Sequence, residues 1–291
     1  MPIARKLIAG GCSYTDAEYI TSDKNLPQVK GNWTMWPEIF GEKLGLDVIN
    51  TGRSGGGNEQ IVHDVKEQCL KHKGSIDTVA ILWSEFDRMR FFGLINFGMM
   101  AETMIHMGQN PAFEGAFVGI PHRKRMGIDG FAYNYFKSEQ FPIQRFGYIK
   151  GVLEDSFRRI LEMAEYCKAN DIKFIFASGC THFQWKTLNR LSVQMPFAKQ
   201  SITNLNEFIK LYMNNVWFTE IEKEYKKHII GWPFEPQLNG FSFDNIRYMG
   251  KKPFTFQKNG YNVSPIDNHP NEECQTLFAE IFLTEYRKLY G

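Results

Sequence analysis

The sequence has 291 residues and lacks three features that would point to particular partners. Lysine and arginine number 34 and aspartate and glutamate 32, so the net charge is only +2, without the basic excess that binds nucleic-acid phosphates. No apolar run approaches the roughly 18 residues that a membrane-spanning helix needs. The apolar run within residues 1–13 is too short for a secretion signal and predicts a first strand instead. These absences argue against nucleic-acid and membrane partners.

Paired cysteines are also absent. The five cysteines are an odd number, they are widely spaced, and they include no C-x-x-C pair. This pattern favours neither a disulfide framework nor a zinc site. We expect buried thiols, since cysteine in this form packs as a small apolar residue, and such thiols fit a reducing compartment. The residues are Cys12, Cys69, Cys167, Cys180 and Cys274.

The residues that are present predict an α/β fold. Hydrophobic residues make up 43% of the chain and aromatic residues 15%, which suits one large domain over residues 1–291. Four short apolar runs predict buried strands, and helical patterns alternate with them, as in a sheet of mainly parallel strands. The runs are Leu7–Ala9, Leu46–Asn50, Thr78–Trp83 and Lys173–Ala177.

Helical periodicity follows each of the first two strands and recurs at residues 149–167 and at the end of the chain. In the last helix Asn271 can cap the N-terminus, while Glu272 and Glu273 suit the positive end of the helix dipole. These patterns predict helices on both sides of the strands.

Two long stretches do not fit the alternation of strands and helices. They cover about residues 93–148 and 182–262, and both exceed an ordinary connection, so they predict two large insertions that fold over the scaffold. The second stretch contains a helical pattern from Leu205 to Val216 and then an irregular loop. Trp185, Trp217 and Trp232 lie in this stretch and could stack on sugar rings, although packing in the core is the ordinary role of such residues.

The first predicted strand ends in Gly10-Gly11-Cys12-Ser13. This order places a serine at the carboxyl end of the strand, where ligands bind in open α/β sheets. The glycines allow a close approach of the main chain. Ser13 is therefore a candidate nucleophile, and the alternative is a serine that only caps a turn.

A glycine-rich turn follows the second predicted strand, from Asn50 to Asn58. Main-chain N–H groups in such a turn, close to a helix N-terminus, can stabilise an anion. The anion could be a reaction oxyanion or a bound phosphate, although the Gly-Lys-Ser/Thr ending of a P-loop is absent. A plain loop, with glycines for its geometry, is the third interpretation.

The segment Asp267-Asn268-His269-Pro270 comes just before the last helix. A neighbouring carboxylate can orient an imidazole and stabilise it once it is protonated. The positive end of the helix disfavours the charged ring, which helps His269 to act as a base. The alternative is a turn whose polar residues only cap the helix.

In this order along the chain, the three motifs resemble the conserved blocks of the SGNH hydrolases, also called GDSL-like esterases. Gly11-Cys12-Ser13 is similar to the nucleophile block, and Asn50 to Gly55 is similar to the second block, Asn-x-x-x-x-Gly. Asp267, His269 and Pro270 are similar to the last block. The resemblance implies a flavodoxin-like three-layer α/β/α sandwich and a serine hydrolase that needs no metal or cofactor.

The resemblance also implies a role for each matching residue. Ser13 would be the nucleophile, His269 the base and Asp267 the residue that orients His269. The main-chain N–H groups of Ser13 and Gly55 would form the oxyanion hole.

Three positions depart from the family's pattern. Cys12 stands where the family has aspartate, and Asp267 lies two rather than three residues before His269. The third block has no asparagine, which in the family supplies an oxyanion donor, and Ser84 is the residue that could replace it. Losing such a donor typically costs on the order of 100- to 1,000-fold in rate. The stretch from Trp83 to Arg88 is similar to a divergent branch of the family met in bacteriophage genomes.

Four residues near these motifs are candidates for binding the substrate, namely Ser84, Glu85, Arg88 and Asn58. Arg88 could bind an acidic substrate group, and the alternative is a structural ion pair between Glu85 and Arg88. The partner expected at this site is a small ester or an acylated glycan.

Three hypotheses for function follow. The favoured one, because Ser13 and His269 are both present, is an esterase that removes acyl groups such as acetyl from carbohydrate or small esters. The second is a non-catalytic virion component or glycan-binding protein on the same scaffold, suggested by the missing asparagine. The third is a phosphate- or nucleotide-binding protein that uses residues 53–58. The expected location is the cytoplasm or a virus particle.

Overall fold

The computed structural model describes residues 4–21, 33–84, 86, 89–94, 100–105, 117–118, 141–180, 205–245, 261–264 and 267–291. The strands are β1 (Lys6–Gly11), β2 (Asp47–Asn50), β3 (Ile76–Trp83), β4 (Met89–Leu94), β5 (Met100–Ile105), β6 (Phe117–Val118), β7 (Lys173–Ser178), β8 (Ile229–Ile230), β9 (Asn262–Ser264) and β10 (Asp267–Pro270). The helices are α1 (Trp36–Leu44), α2 (Asn58–Lys71), α3 (Phe141–Ala169), α4 (Leu205–Met213), α5 (Val216–Glu224) and α6 (Glu272–Tyr290).

Five parallel strands form the central sheet, in the order β2-β1-β3-β7-β8. Numbered within this sheet alone, the order is 2-1-3-4-5, which is that of flavodoxin-like folds. The strand after β1 lies on one side of it, and all later strands of the sheet lie on the other side, so the strand order reverses next to β1. In open α/β sheets, ligands bind at the carboxyl ends of the strands at such a point. The four strands predicted from apolar runs are confirmed as β1, β2, β3 and β7.

Helices cover both faces of the sheet because successive strand residues point to opposite sides. On one face Ile8 and Val79 belong to a buried cluster with residues of α2, α3 and α5. On the other face Leu7 and Leu82 belong to a cluster with residues of α1 and α6. In that second cluster Trp36 stacks on Phe282 with ring centroids 4.4 Å apart. The predicted three-layer α/β/α sandwich is therefore confirmed.

Two helices differ from their sequence patterns. The helix predicted over residues 149–167 begins earlier, at Phe141. The single pattern from Leu205 to Val216 divides into α4 and α5 because Asn215 caps α5. The Asn215 side chain accepts hydrogen bonds from the N–H groups of Trp217 at 2.9 Å and Phe218 at 3.1 Å. A residue that binds main-chain N–H groups in this way begins a new helix and does not continue the previous one.

The predicted insertions contain regular structure of their own. The first overlaps an antiparallel sheet of β4, β5 and β6 and the start of α3. The second contains β8, which pairs with β7 and so adds the fifth strand of the central sheet. The bounds of the insertions within a single domain stay a prediction.

The five cysteines are all described and buried, and no disulfide joins them. Among the helices that the structure describes, none combines the length and apolar character needed to cross a membrane.

Candidate active site

Ser13 lies in the turn that follows β1. The N–H of Thr15 donates to the carbonyl oxygen of Cys12 at 2.9 Å, which closes this turn directly after the strand. Gly11 is required there, because a Cβ atom at this position would overlap the Thr15 side chain. Ser13 is buried apart from 6% of its surface. The loop therefore holds Ser13 at the carboxyl end of β1, next to the point where the strand order reverses.

His269 lies in β10, which forms a two-stranded antiparallel ribbon with β9 directly before α6. The predicted cap of α6 is confirmed, since Asn271 Oδ1 accepts a hydrogen bond from the Cys274 N–H at 3.0 Å. The cap and the ribbon fix the chain on both sides of His269. The imidazole is consequently held at the same edge of the sheet as Ser13.

The structure brings Ser13, His269 and Asp267 into one chain of hydrogen bonds. Ser13 Oγ lies 2.9 Å from His269 Nε2. On the other side of the ring, His269 Nδ1 lies 2.7 Å from Asp267 Oδ1. A hydroxyl, an imidazole and a carboxylate in this order can form an activated nucleophile, its general base and the group that orients the base.

Asp267 is almost completely buried, with 2% of its surface exposed. Burial alone would raise its pKa, but hydrogen bonds outweigh that effect and hold the pKa well below the ordinary value of 3.8. The donors are His269, Thr21 and Tyr19. Asp267 is therefore ionised at neutral pH and can stabilise a protonated His269.

Two tyrosines that the sequence patterns did not indicate also surround His269. The Tyr19 hydroxyl lies 2.6 Å from Asp267 Oδ2 and 2.7 Å from His269 Nδ1. The Tyr14 ring meets the imidazole edge to face at 5.6 Å, and its hydroxyl donates to Asp244 Oδ1 at 2.9 Å. Position in the sequence gives no signal for the first contact, because Tyr19 and His269 are 250 residues apart.

The glycine turn after β2 is tied to the Ser13 loop. Gly55 has a φ of 77°, in the left-handed region that favours glycine. Asp16, three residues after Ser13, accepts hydrogen bonds from the Ser54 N–H at 2.7 Å and from the Ser54 hydroxyl at 2.5 Å. The Arg53 N–H donates to the Gly11 carbonyl oxygen at 3.1 Å. The Asp16 carboxylate next to this turn disfavours a bound phosphate, since the two charges would repel.

The hydrogen bonds of the Asn50 side chain explain why an asparagine begins this turn. Its side-chain amide donates to the Thr15 carbonyl oxygen at 2.8 Å and to Glu38 Oε1 at 2.9 Å. Its side-chain oxygen accepts from the Gly52 N–H at 2.8 Å. Asn50 thus joins the end of β2, the loop that carries Ser13 and helix α1. The role of the Gly55 N–H as an oxyanion donor stays a prediction, and this arrangement is compatible with it.

Two of the predicted substrate-binding residues are buried and bind each other. Asn58 Oδ1 accepts a hydrogen bond from the Ser84 N–H at 2.9 Å, and the Asn58 amide faces the Ser84 carbonyl oxygen at 3.4 Å. Asn58 is 5% exposed and Ser84 is 0% exposed. The contact that the structure shows for this pair is therefore structural. The low exposure of Asn58 and Ser84 does not support direct contact of their side chains with a substrate. Glu85 and Arg88 lie outside the described residues.

The tryptophans of the second insertion pack mainly against protein. Trp217 and Trp232 are partly buried against the cluster that contains Ile8 and Val79. The Trp232 ring stacks on the Phe218 ring with centroids 5.0 Å apart. Trp232 also lines a depression of about 540 Å³ together with Phe241. Neither Ser13 nor His269 lines this depression. Trp185 lies outside the described residues.

One group of side chains on α2 has the spacing of a metal site within the described part of the chain. Potential ligand atoms of His63, Asp64 and Glu67 lie within 4.8 Å of one another. However, the guanidinium of Arg53 lies 3.3 Å from Asp64 Oδ2 and supplies positive charge at the most buried of the three residues. This geometry gives no reason to assign a metal ion to the group.

No protein-family model matches the sequence, and no curated protein matches it. Among solved structures, the chain is similar to one described as a lipolytic protein of the G-D-S-L family from Desulfitobacterium hafniense. The identity is 14%, the TM-score is 0.42, and the match covers 96% of this chain and 98% of that chain. A structure described as an acylhydrolase from Bacteroides fragilis has 13% identity and a TM-score of 0.40, covering 99% of this chain and 92% of the other.

An acetylxylan esterase from Geobacillus stearothermophilus is also similar, with 13% identity, a TM-score of 0.35 and coverage of 98% of this chain and 96% of that chain. Similarities of this size do not establish a shared fold or activity. The fold is instead established by the strand order and the two covered faces of the sheet described above.

Proposed function

We propose that this protein is a serine esterase in which Ser13 is the nucleophile. The observation that carries the proposal is the chain of hydrogen bonds from Ser13 through His269 to Asp267. His269 Nε2 takes the Ser13 proton as Ser13 Oγ attacks the carbonyl carbon of an ester. Asp267 stabilises the imidazolium that forms, because its carboxylate is ionised and accepts the Nδ1–H.

The attack gives a tetrahedral intermediate with a negative oxygen. The N–H groups of Ser13 and Gly55 are the donors proposed to stabilise it. His269 then gives its proton to the leaving alcohol, and an acyl group remains on Ser13. Water attacks the acyl group with His269 again as the base, which releases the acid and restores the Ser13 hydroxyl.

The proposed substrates are small esters, with acetyl groups on carbohydrate as the preferred class. Exposure supports a site that an ester reaches from solvent, since 30% of the His269 side chain is exposed although Asp267 behind it is buried. Contacts of Glu85 and Arg88 with the substrate belong to the same proposal. We also propose, from the sequence between Trp83 and Arg88 alone, that the protein is similar to phage-encoded members of the family.

The test is hydrolysis of p-nitrophenyl acetate by the purified protein beside its Ser13→Ala and His269→Ala variants. We expect the wild type to be active and both variants to lose at least about 1,000-fold in kcat/KM. The kcat/KM values for acetylated xylo-oligosaccharides and for p-nitrophenyl butyrate then show which alcohol and which acyl group the protein prefers. A wild type no faster than Ser13→Ala on every ester would contradict the proposal.

A non-catalytic protein on the same scaffold is the second candidate. One observation favours it, namely the complete burial of Ser84, which occupies the position of the family's third oxyanion donor. This candidate predicts that the wild type and Ser13→Ala bind acetylated glycans with equal affinity and that neither turns them over. Calorimetric titration with acetylated xylo-oligosaccharides, followed by mass analysis of the recovered ligand, separates the two candidates.

A further inference from the structure

We propose that Tyr19 is a positioning residue for the base and holds the His269 proton on Nδ1. Its hydroxyl lies 2.6 Å from Asp267 Oδ2 and 2.7 Å from His269 Nδ1, so one oxygen atom contacts both groups. The inference rests on the proposed function for its catalytic consequence. The position of the proton on the His269 ring is a separate claim, and NMR of the ring N–H measures it without any enzymatic activity.

The direction of each hydrogen bond follows from the number of protons available. Asp267 is ionised, so its oxygens can only accept. The Tyr19 hydroxyl has one proton, and it donates this proton to Asp267 Oδ2. Towards His269 the same oxygen can then only accept, so Nδ1 must carry a proton. In the neutral ring this leaves Nε2 without one, and Nε2 is the atom that faces Ser13 Oγ.

Tyr19 therefore adds a second acceptor to the one that Asp267 provides. Asp267 Oδ1 and the Tyr19 oxygen lie at the same distance, 2.7 Å, from His269 Nδ1. The Tyr19 ring also covers the imidazole, with centroids 4.2 Å apart and an angle of 33° between the planes. Tyr19 is itself 7% exposed, so it limits the access of water to this side of the ring.

Thr21 provides a matched comparison on the same segment. Its hydroxyl donates to Asp267 Oδ2 at 2.6 Å, the same oxygen and the same distance as for Tyr19. Removing the Thr21 hydroxyl therefore tests the support of the carboxylate, whereas removing the Tyr19 hydroxyl tests that support together with the direct contact to Nδ1.

The experiment compares the wild type with Tyr19→Phe and Thr21→Val by proton NMR of the histidine ring N–H groups. Assignment of the His269 signal uses His269→Ala. In Tyr19→Phe we expect the Nδ1–H resonance to move and its exchange with solvent to become faster, because an acceptor and a covering hydroxyl are lost. In Thr21→Val both changes should be smaller. Equal changes in the two variants, or none in Tyr19→Phe, would overturn the proposal.

Kinetics form the second arm of the experiment. Tyr19→Phe loses the direct contact with His269 Nδ1 in addition to the hydrogen bond to Asp267, so we expect kcat to fall about tenfold, with KM within about twofold. Thr21→Val should lose about threefold or less. Unchanged kcat in an active Tyr19→Phe variant would contradict the catalytic consequence. If the wild type shows no Ser13-dependent hydrolysis, the proposed function fails, but the NMR comparison still decides whether Tyr19 holds the proton.

Discussion

Two serines follow neighbouring strands of the sheet, and among the described residues only Ser13 contacts a base. Ser13 comes after β1, and its Oγ lies 2.9 Å from His269 Nε2. Ser84 comes after β3, and its Oγ is buried with no hydrogen-bond partner among the described residues. The residue type and the edge of the sheet are the same in both cases. A serine at the ligand-binding edge is therefore not a nucleophile by position alone, because it also needs a base within reach.

The elements around each serine explain the difference. The ribbon of β9 and β10 carries His269 to the loop after β1, and Asp16 and Asn50 tie that loop to the glycine turn. At the end of β3, Asn58 instead binds both the N–H and the carbonyl oxygen of Ser84. The neighbouring His269 therefore contacts the side chain of Ser13, whereas Asn58 contacts the main chain of Ser84.

The largest expected effect comes from removing each hydroxyl in turn. Ser13→Ala should lower kcat/KM for p-nitrophenyl acetate by about 10⁴-fold or more, because the proposed acyl-enzyme could no longer form. Ser84→Ala should stay within about threefold of the wild type, since the loss of a side chain without contact to the reacting atoms costs little. Steady-state kinetics on the two variants check this, and equal losses would remove the distinction between the serines.

The next effect concerns the carboxylate behind His269. Asp267→Asn should lower kcat on the order of 10³-fold, because the imidazolium loses its charged acceptor. We expect KM to change little, since Asp267 lies behind the ring and is 2% exposed. Single-turnover kinetics with the same ester measure the chemical step directly. A loss below about tenfold would mean that Tyr19 or another group orients His269 without Asp267.

Acid stability gives a separate readout of the same carboxylate. The pKa of Asp267 in the folded protein is lowered below its ordinary value of 3.8, so near and below pH 3.8 the unfolded chain binds more protons. The stabilisation is present above this value and is lost as the pH falls through it and below. We therefore expect the wild type to lose free energy of unfolding more steeply than Asp267→Asn between about pH 5 and pH 2. Urea denaturation at several pH values measures both slopes, and parallel slopes would contradict the prediction.

A smaller effect is expected at the turn that carries Gly55. Asp16→Asn keeps the shape of the side chain but removes the charge that accepts both Ser54 donors, so the turn should hold its N–H groups less firmly. We expect kcat to fall about tenfold. Ser54→Ala is the matched control, because it removes the hydroxyl contact and keeps the main-chain one, and it should lose less. The prediction fails if Ser54→Ala loses more than Asp16→Asn.

The smallest effect concerns stability at Ser84. A buried hydroxyl without a partner costs free energy, so Ser84→Ala should raise the free energy of unfolding by about 1 kcal/mol. Ser13→Ala should not raise it, because the Ser13 hydroxyl is hydrogen-bonded to His269 in the wild type and that bond is lost. Urea denaturation of both variants at pH 7 checks this. A destabilised Ser84→Ala would mean that the Ser84 hydroxyl has a partner in the folded protein.

The sheet was predictable because its strands are continuous apolar runs, as in β3 and β7, and a strand buried on both faces requires such a run. The strand β8 was not predictable, since it has only two residues, Ile229 and Ile230. The break between α4 and α5 was also not predictable, because the apolar spacing continues across it while the Asn215 side chain begins a new helix.

The contact between Ser13 and His269 in the candidate site was predictable for a similar reason. Ser13 and His269 stand in short local motifs, and the expectation that they meet follows from the edge of the sheet that both motifs share. Tyr19 and the pairing of Asn58 with Ser84 depend on contacts between distant segments. No local spacing marks such contacts, and a single sequence shows which residues are polar but not which of them become buried together.

The most direct test of the account is covalent labelling by a fluorophosphonate probe, with the modified residue located by peptide mass spectrometry. The probe reacts with a serine whose hydroxyl is activated by a base. The account predicts stoichiometric labelling at Ser13 that is lost in Ser13→Ala and His269→Ala. Failure to label the wild type, or labelling at another residue that persists in Ser13→Ala, would contradict it.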